Sequence, residues 1–424
     1  MTGFCYRNGV LHGEAVDLRM IAGELGTPFY CYSSELIGER FAAFTDAFAD
    51  MNPLVCFAAK ANSNQAVLAT FAGLGAGADI VSGGELARAL TAGIPAHKIL
   101  YSGVGKTAVE ISAALEAGIG CFNVESEPEL LALSSIAAAR NVRAPVSFRI
   151  NPDIDAHTHA KISTGKYEDK FGIPIGDARR LYAEAARLPG IDVVGVDAHI
   201  GSQITCLEPF DSLAVKLAEL AGDLIRDGHA LRHLDFGGGL GVSYLPGEPP
   251  APTPEQYAAV VRRRIRHLSL KPVFEIGRFF VGPAGVLVTK VLYIKKGRNR
   301  TFVIVDAAMN DLIRPTLYDA YHHIQPVEKV ATEMPAEVVD VVGPVCETGD
   351  FLALQRSLPP LRPGDLLAVM TAGAYGAVQA GTYNSRPLVP EVMIRGEAFA
   401  VIRPRPSYED MILLDRLPPW LQPS

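Results

Sequence analysis

Four kinds of chemically useful group recur in this sequence at the ends of short apolar runs. Lys60 closes VCFAAKANSN, a run that delivers an amine to the rim of a largely dry pocket. Burial there lowers an amine's pKa and frees it to form an imine, although a solvated lysine at a strand end is the plainer alternative. His199, in DAHIGSQ, is placed to stack on a flat aromatic ring while Ser202 reaches a phosphate, or else is a packed core histidine. Gly237, Gly238 and Gly239 follow HLDF and precede Gly241, so backbone amides approach an anion without obstruction; a tight turn has the same composition. Glu275, Gly277 and Arg278 lie in FEIGRFFVGPAG, where a deep carboxylate is able to face a protonated ring nitrogen or, alternatively, pair with the arginine of its own loop.

Further groups lie in the last third. DAAMNDLIRPTLY puts Arg314 and Tyr318 within about one helical turn, an arrangement that suits a carboxylate and equally a salt-bridged surface helix. GPVCETGD sets Cys346 beside Glu347 in a loop that Gly and Pro keep irregular, and AGAYGA sets Tyr375 among small residues that permit close approach. A free Cys is usually a small hydrophobe, so a functional thiol and a packing one are both open here.

Positioning these groups on one rim requires a particular scaffold. From about Ser33 to Gly282, short apolar runs alternate with Ala-rich stretches of helical period, as in repeated βα units on a parallel sheet. The strands expected are 54–59, 78–82, 98–102, 120–124, 146–150, 193–200, 233–236 and 272–276. Eight such strands close a (β/α)8 barrel, whose chemistry sits at the strands' C-terminal ends, and Lys60, His199, the glycines and Glu275 all fall there. SGGELARALTAG and ESEPELLALSSIAAAR, with acidic first turns and recurring Leu or Ala, supply two of the outer helices. After Gly282 the runs become short, β-branched and punctuated by Pro and Gly, in VLVTKVLYIKKG, TFVIVDAA, AEVVDVVGP and DLLAVMTAG. The expectation is a barrel over 33–282 and an all-β domain, a β-barrel or sandwich, over 283–424. FCYRNGVL and PFYCYS add residues 1–32 to that second domain.

Composition narrows the function classes. A chain of 424 residues exceeds the size of one ordinary core, and 49% apolar with 20% charged residues is globular. A net charge of -7, without clustered Lys and Arg, argues against a nucleic-acid partner and for a small molecule. No leader-like start and no run of eighteen apolar residues is seen, which predicts a cytoplasmic protein and no membrane partner. Six scattered Cys without a C-x-x-C pair fit neither a disulfide scaffold nor a zinc site, and read as reduced, mostly buried thiols. His157 and His159 have no carboxylate cluster at ligand spacing, so no metal is expected.

The ordered set CFAAKANSN, ADIVSGGEL, FNVESEPEL, STGKYEDKFG, HIGSQI, DFGGGLG, EIGR, MNDLIRPTLYDAYH, GPVCETGDF and AGAYGAVQAGTYNSRP resembles the diaminopimelate decarboxylases through nearly the whole chain. These belong to the alanine-racemase-like fold type of pyridoxal 5'-phosphate enzymes. The resemblance implies a barrel followed by a β-domain, and loss of carbon dioxide from the D-centre of meso-2,6-diaminopimelate to give L-lysine. It makes Lys60 the Schiff-base lysine, His199 the ring-stacking histidine and Glu275 the partner of the pyridine nitrogen. It assigns Ser202 and Gly237 to Gly239 to the phosphate, with Gly277 and Arg278 in the cofactor loop. Arg278, Arg314, Tyr318 and Glu347 would bind substrate, Tyr375 both cofactor and substrate, and Cys346 would donate the proton. The loop of Cys346 would enter the partner's site, which implies a homodimer. One departure is visible: the family usually has Pro where this chain has Ile276, and losing a fixed φ there predicts a looser loop.

Rivals of the same fold act on ornithine, arginine, carboxynorspermidine or a carrier-bound substrate. HIGSQI and the Arg314–Tyr318 pair favour a distal carboxylate, which ornithine lacks. A racemase needs a second base that the sequence does not place, and a non-catalytic pyridoxal phosphate carrier needs no GPVCETGD loop.

Overall fold

The structure, a computed structural model, describes residues 3–156, 164–165, 170–329 and 335–421. His157, His159 and most of the STGKYEDKFG motif lie outside the described residues. The chain divides into two compact units, Leu36–Gly282 and a second one made of Met1–Glu35 with Pro283–Ser424.

The first unit is built on eight parallel strands: β1 (Leu54–Ala58), β2 (Gly77–Ile80), β3 (Ile99–Tyr101), β4 (Cys121–Val124), β5 (Ala144–Asn151), β6 (Ile191–Asp197), β7 (His233–Asp235) and β8 (Lys271–Ile276). Each pairs in parallel with its chain neighbour, and β8 pairs with β1, so the sheet closes on itself as a (β/α)8 barrel. All eight expected strands are present, with ends shifted by at most three residues. Two shifts touch the site. β1 stops at Ala58, so Lys60 lies not at a strand end but in a tight turn over Ala59–Ala61. β6 stops at Asp197, so His199 sits in the loop beyond it.

The outer helices start where the sequence provides caps. The side-chain oxygen of Ser82 accepts from the Glu85 amide to open Gly83–Thr91, and Ser126 does the same for Glu127–Ala139 through Glu129. Inside the barrel, Cys56, Leu100, Cys121, Val194 and Val273 come from five strands and pack as one apolar cluster, which accounts for two of the buried thiols. Lys106 is buried as well; its ammonium donates to the carbonyls of Gly103 and Asn123 and to Glu129 at 2.7–2.8 Å, tying the ends of β3 and β4 together.

The second unit is organised around one long strand, Gly285–Lys296, which pairs antiparallel with Phe29–Ser33, Leu366–Val369 and Thr301–Val305 along successive parts of its length. Phe29–Ser33 continues in parallel to Glu391–Arg395, and Thr301–Val305 to Glu337–Val342. The sequence signals for the other strands named are sound, but Glu391–Arg395, with Phe351–Leu358 and Ala398–Arg403, escapes them. Phe351–Leu358, FLALQRSL, mixes polar and apolar residues without clean alternation, because only part of one face is buried. The amino-terminal pieces Phe4–Arg7 and Val10–Gly13 form a hairpin whose apolar face joins Val286, Val288 and Ile394 in a common core. Among the described residues no helix is long and apolar enough to cross a membrane.

Candidate active site

At the C-terminal ends of the barrel strands the chain gathers the amine of Lys60, the imidazole of His199, the guanidinium of Arg278 and the carboxylates of Asp79, Asp197, Asp235 and Glu275, with the buried Arg149–Glu125 pair beside them. Nζ of Lys60 donates to Oδ2 of Asp79 at 2.8 Å; Asp79 is fully buried and the lysine side chain is 34% exposed. Lys60 is held close to the strands by Gly277: a Cβ there would come within 2.8 Å of the Ala61 methyl, so only glycine lets the end of β8 close on the lysine's turn. Ile276, where the family usually has Pro, is buried and pairs with Phe57 as an ordinary strand residue of β8. Its sec-butyl side chain fills core.

Glu275 is buried, and its Oε1 accepts from Asn123 Nδ2 at 3.0 Å and Ser102 Oγ at 3.2 Å. Burial raises its pKa well above the usual carboxylate range, and the nearby charges of Asp79, Asp235 and Asp197 add to this. Asp197 and Asp235 complete the group, and oxygens of these two and Glu275 all lie within 4.8 Å of one another. Burial pushes Asp197 up to about 7 and Asp235 well above its usual value. A triad of this composition is also what a hard cation would use, a cluster that sequence spacing did not disclose. Oδ1 of Asp79, Oδ1 of Asp197 and Oδ2 of Asp235 have no hydrogen-bond partner. Such a concentration of buried acid is unfavourable unless it stays protonated or meets cations.

His199 accepts at Nδ1 from the Gly238 amide at 3.0 Å. Burial, with the positive charges of Arg149 and Lys60, drives its pKa well below the ordinary value, so the ring is neutral. The glycine run serves this contact. A Cβ on Gly238 would stand 2.3 Å from the Glu275 carbonyl oxygen and one on Gly237 2.7 Å from His199 Nδ1, while Gly237 and Gly239 have φ of +60° and +102°. The sequence expectation of three successive amides open to an anion needs correcting: the Gly237 amide donates to Asp235 Oδ1 and that of Gly238 to His199. The glycines' first contribution is room.

Arg278 is buried and donates through Nη2 to Ser202 Oγ at 3.0 Å and through Nη1 to Tyr244 OH at 2.6 Å. Neither the Glu275–Arg278 ion pair nor a solvated arginine describes it. A guanidinium flanked by two hydroxyls is a ready anion site. Tyr244, Asp79, Asp197 and Asp235 were missed in the sequence. The signal was there for the acids, each an Asp inside an otherwise apolar strand run.

The remaining expected residues belong to the second unit. Arg314 opens the short helix Arg314–Tyr318 and is buried; Tyr318 is half-buried and accepts from Gln379 Nε2 at 3.3 Å. Cys346 is exposed, and its amide donates to Asn384 Oδ1 at 3.2 Å. Glu347 is exposed beside it and hydrogen-bonds Tyr383. Asp350 braces this loop by accepting from the amides of Val345 and Met309, both at 2.6 Å. Tyr375 has φ +55°, an unusual conformation for a bulky residue, inside the small-residue segment that made it noticeable.

A buried carboxylate able to face a ring cation, a neutral imidazole, an amine and an Arg–hydroxyl anion site together fit pyridoxal phosphate, and the orphaned acid oxygens mark where positive charge is wanted. The chain belongs to the pyridoxal-dependent decarboxylases: residues 34–282 match the family's pyridoxal binding domain. Within that family it is similar to diaminopimelate decarboxylases. It is 48% identical to that of Zymomonas mobilis, over 99% of this chain and 100% of the relative. It is 50% identical to that of Pseudomonas fluorescens, again over 99% and 100%. The crystal structure of the Helicobacter pylori diaminopimelate decarboxylase complexed with L-lysine superposes with a TM-score of 0.90, at 42% identity, over 94% of this chain and 99% of that one.

Proposed function

We propose that this protein releases carbon dioxide from the D-configured centre of meso-2,6-diaminopimelate, with pyridoxal 5'-phosphate as cofactor, and yields L-lysine. The observation that carries this reading is the Lys60 amine, held at the barrel rim 2.8 Å from a buried aspartate in the same cluster as Glu275 and His199. When bound, the cofactor supplies a conjugated ring that accepts the electron pair left as the carboxylate departs.

The chain's residues have definable tasks. Lys60 would hold the cofactor through its amine, the group that a substrate's amine would replace. Glu275, raised by burial while no cation faces it, would be ionised by the positive charge of a protonated ring nitrogen and would pair with it. His199, neutral, would lie against the ring, and Arg278 with Ser202 would take the phosphate, with the Gly237–Gly239 loop leaving it room. Arg314 and Tyr318 take the carboxylate of the centre that does not react, Glu347 its ammonium, and Tyr375 contacts both ligands. Cys346 delivers a proton to the carbon that has lost its carboxylate, which requires a donor on one face only. The barrel of residues 33–282 is the cofactor-binding domain, and residues 1–32 with 283–424 carry the substrate and dimer loops. We assign a homodimer with shared sites, as the family resemblance implies. A cytoplasmic setting is supported by six free thiols, of which Cys31, Cys56 and Cys121 are buried.

Borohydride trapping of the purified enzyme followed by peptide mapping should label Lys60, and Lys60→Ala should take up no trapped cofactor. Carbon dioxide release should be greatest from diaminopimelate in a panel with ornithine, arginine and lysine. A label elsewhere, or a preference for ornithine, overturns the reading.

A further inference from the structure

Arg314 does not stand by itself in the second unit. Its Nη1 lies 2.6 Å from Nε2 of His322, a fully buried residue. A guanidinium only donates, so Nε2 accepts and carries no proton. The other ring nitrogen, Nδ1, lies 2.9 Å from the carbonyl oxygen of Met370, which only accepts. Nδ1 therefore carries the proton. The two contacts define the tautomer, the neutral charge and the orientation of the ring together.

The anchor beneath the ring is firm. Met370 directly follows the strand Leu366–Val369, and its amide donates to the carbonyl of His323 at 2.8 Å, so the loop carrying His322 is tied back to the same residue that holds its ring. The chain of contacts runs from sheet backbone through Met370 and His322 to the guanidinium.

We propose that His322 is the positioning residue that fixes the Arg314 guanidinium for the carboxylate at the non-reacting end of the substrate. This rests on the role given to Arg314 above. The chemistry favours a neutral imidazole over the commoner carboxylate partner. A carboxylate would hold the arginine equally well but would cancel the charge that the ligand needs. The imidazole engages one N–H, leaves the positive charge in place and removes the cost of ordering a long side chain at the moment of binding. His322 thereby acts on affinity for one functional group of the substrate, not on the bond that breaks.

The test uses the cofactor-loaded enzyme and two ligands that differ in that group: L-lysine, which keeps the carboxylate, and cadaverine, which lacks it. His322→Asn retains a donor for Met370 but removes the acceptor from Arg314; His322→Gln restores an acceptor at the Nε2 end. By calorimetry, His322→Asn should weaken L-lysine about tenfold, the scale expected for a hydrogen bond to a charged group. Cadaverine should change by less than about twofold, KM for diaminopimelate should rise more than kcat falls, and His322→Gln should recover most of the loss. His323→Asn, the neighbouring control, should leave both ligands as in wild type. Equal losses of both ligands in both His322 variants would mean packing alone and overturn the proposal. Unchanged L-lysine binding in His322→Asn, with binding lost in Arg314→Ala, would overturn it while sparing the role of Arg314. Wild-type binding of L-lysine by Arg314→Ala would bring down both.

Discussion

The backbone amide of Gly238 donates to Nδ1 of His199 across 3.0 Å, which leaves the single proton of the neutral ring on Nε2. The contact depends on Gly238 having no side chain, because the space a Cβ needs is taken by the carbonyl oxygen of Glu275. Gly238→Ala should therefore displace His199 and Glu275 together. We expect a loss of about 2 kcal/mol or more in unfolding free energy and weaker cofactor retention, read by denaturant melts and cofactor absorbance. A variant as stable and as well loaded as wild type would show that the loop gives way without strain.

Ser202 and Tyr244 should be felt through the phosphate alone. Both hydroxyls accept from Arg278, and each has an O–H from which a phosphate beside the guanidinium would accept. Ser202→Ala and Tyr244→Phe should each weaken pyridoxal phosphate about three- to tenfold while scarcely altering the binding of phosphate-free pyridoxal. Equal losses for the two compounds, measured by equilibrium titration of the apo form, would assign these hydroxyls to the ring instead.

Cys346→Ala should separate cofactor binding from turnover. We expect normal cofactor absorbance and melting temperature with kcat reduced about a hundredfold or more, in the range typical of a lost general acid. Cys346→Ser, a poorer acid of similar size, should fall between. Undiminished kcat in the alanine variant removes the thiol from the reaction.

The buried acids predict a pH signature in the apo form. Asp197 titrates near 3.8 when unfolded and at about 7 in the fold. Between those values the folded state binds the extra proton, so this group's contribution falls as pH rises from about 4 to about 7, then levels off. Other groups titrate over the same interval, His233 in the opposite sense because burial lowers it to about 4, so the useful quantity is a difference. The melting temperature of Asp197→Asn minus that of wild type should grow from pH 4 to pH 7 and be flat above. A difference that stays flat from pH 4 to pH 7 would mean that Asp197 is ionised throughout.

Much of the barrel was legible because each strand is a short apolar run and several helices begin with a hydroxyl cap and acidic turn, as at Ser82 and Ser126. Lys60, His199, Glu275 and Arg278 were legible as polar residues at the ends of such runs. Tyr244 was not: it lies beyond the glycines in a segment without period, and only the fold carries it to Arg278. His322 was equally silent, one of two adjacent histidines, and what distinguishes it from His323 is a contact with a residue 48 positions along the chain. The strands Phe351–Leu358 and Ala398–Arg403 were unreadable for a different reason, since strands exposed over much of their length need little apolar alternation.

The pairing of Phe29–Ser33 with Gly285–Lys296 and Glu391–Arg395 has a consequence for biosynthesis. On the ribosome the barrel's residues emerge as one uninterrupted stretch and are able to close early, whereas Phe29–Ser33, made before them, has no strand partner until the last third is translated. Nascent chains halted just after Gly282 should accordingly be nicked by protease within their first 35 residues and resist it over the stretch that follows. A strand synthesised ahead of the whole barrel is thus among the last to be stitched in.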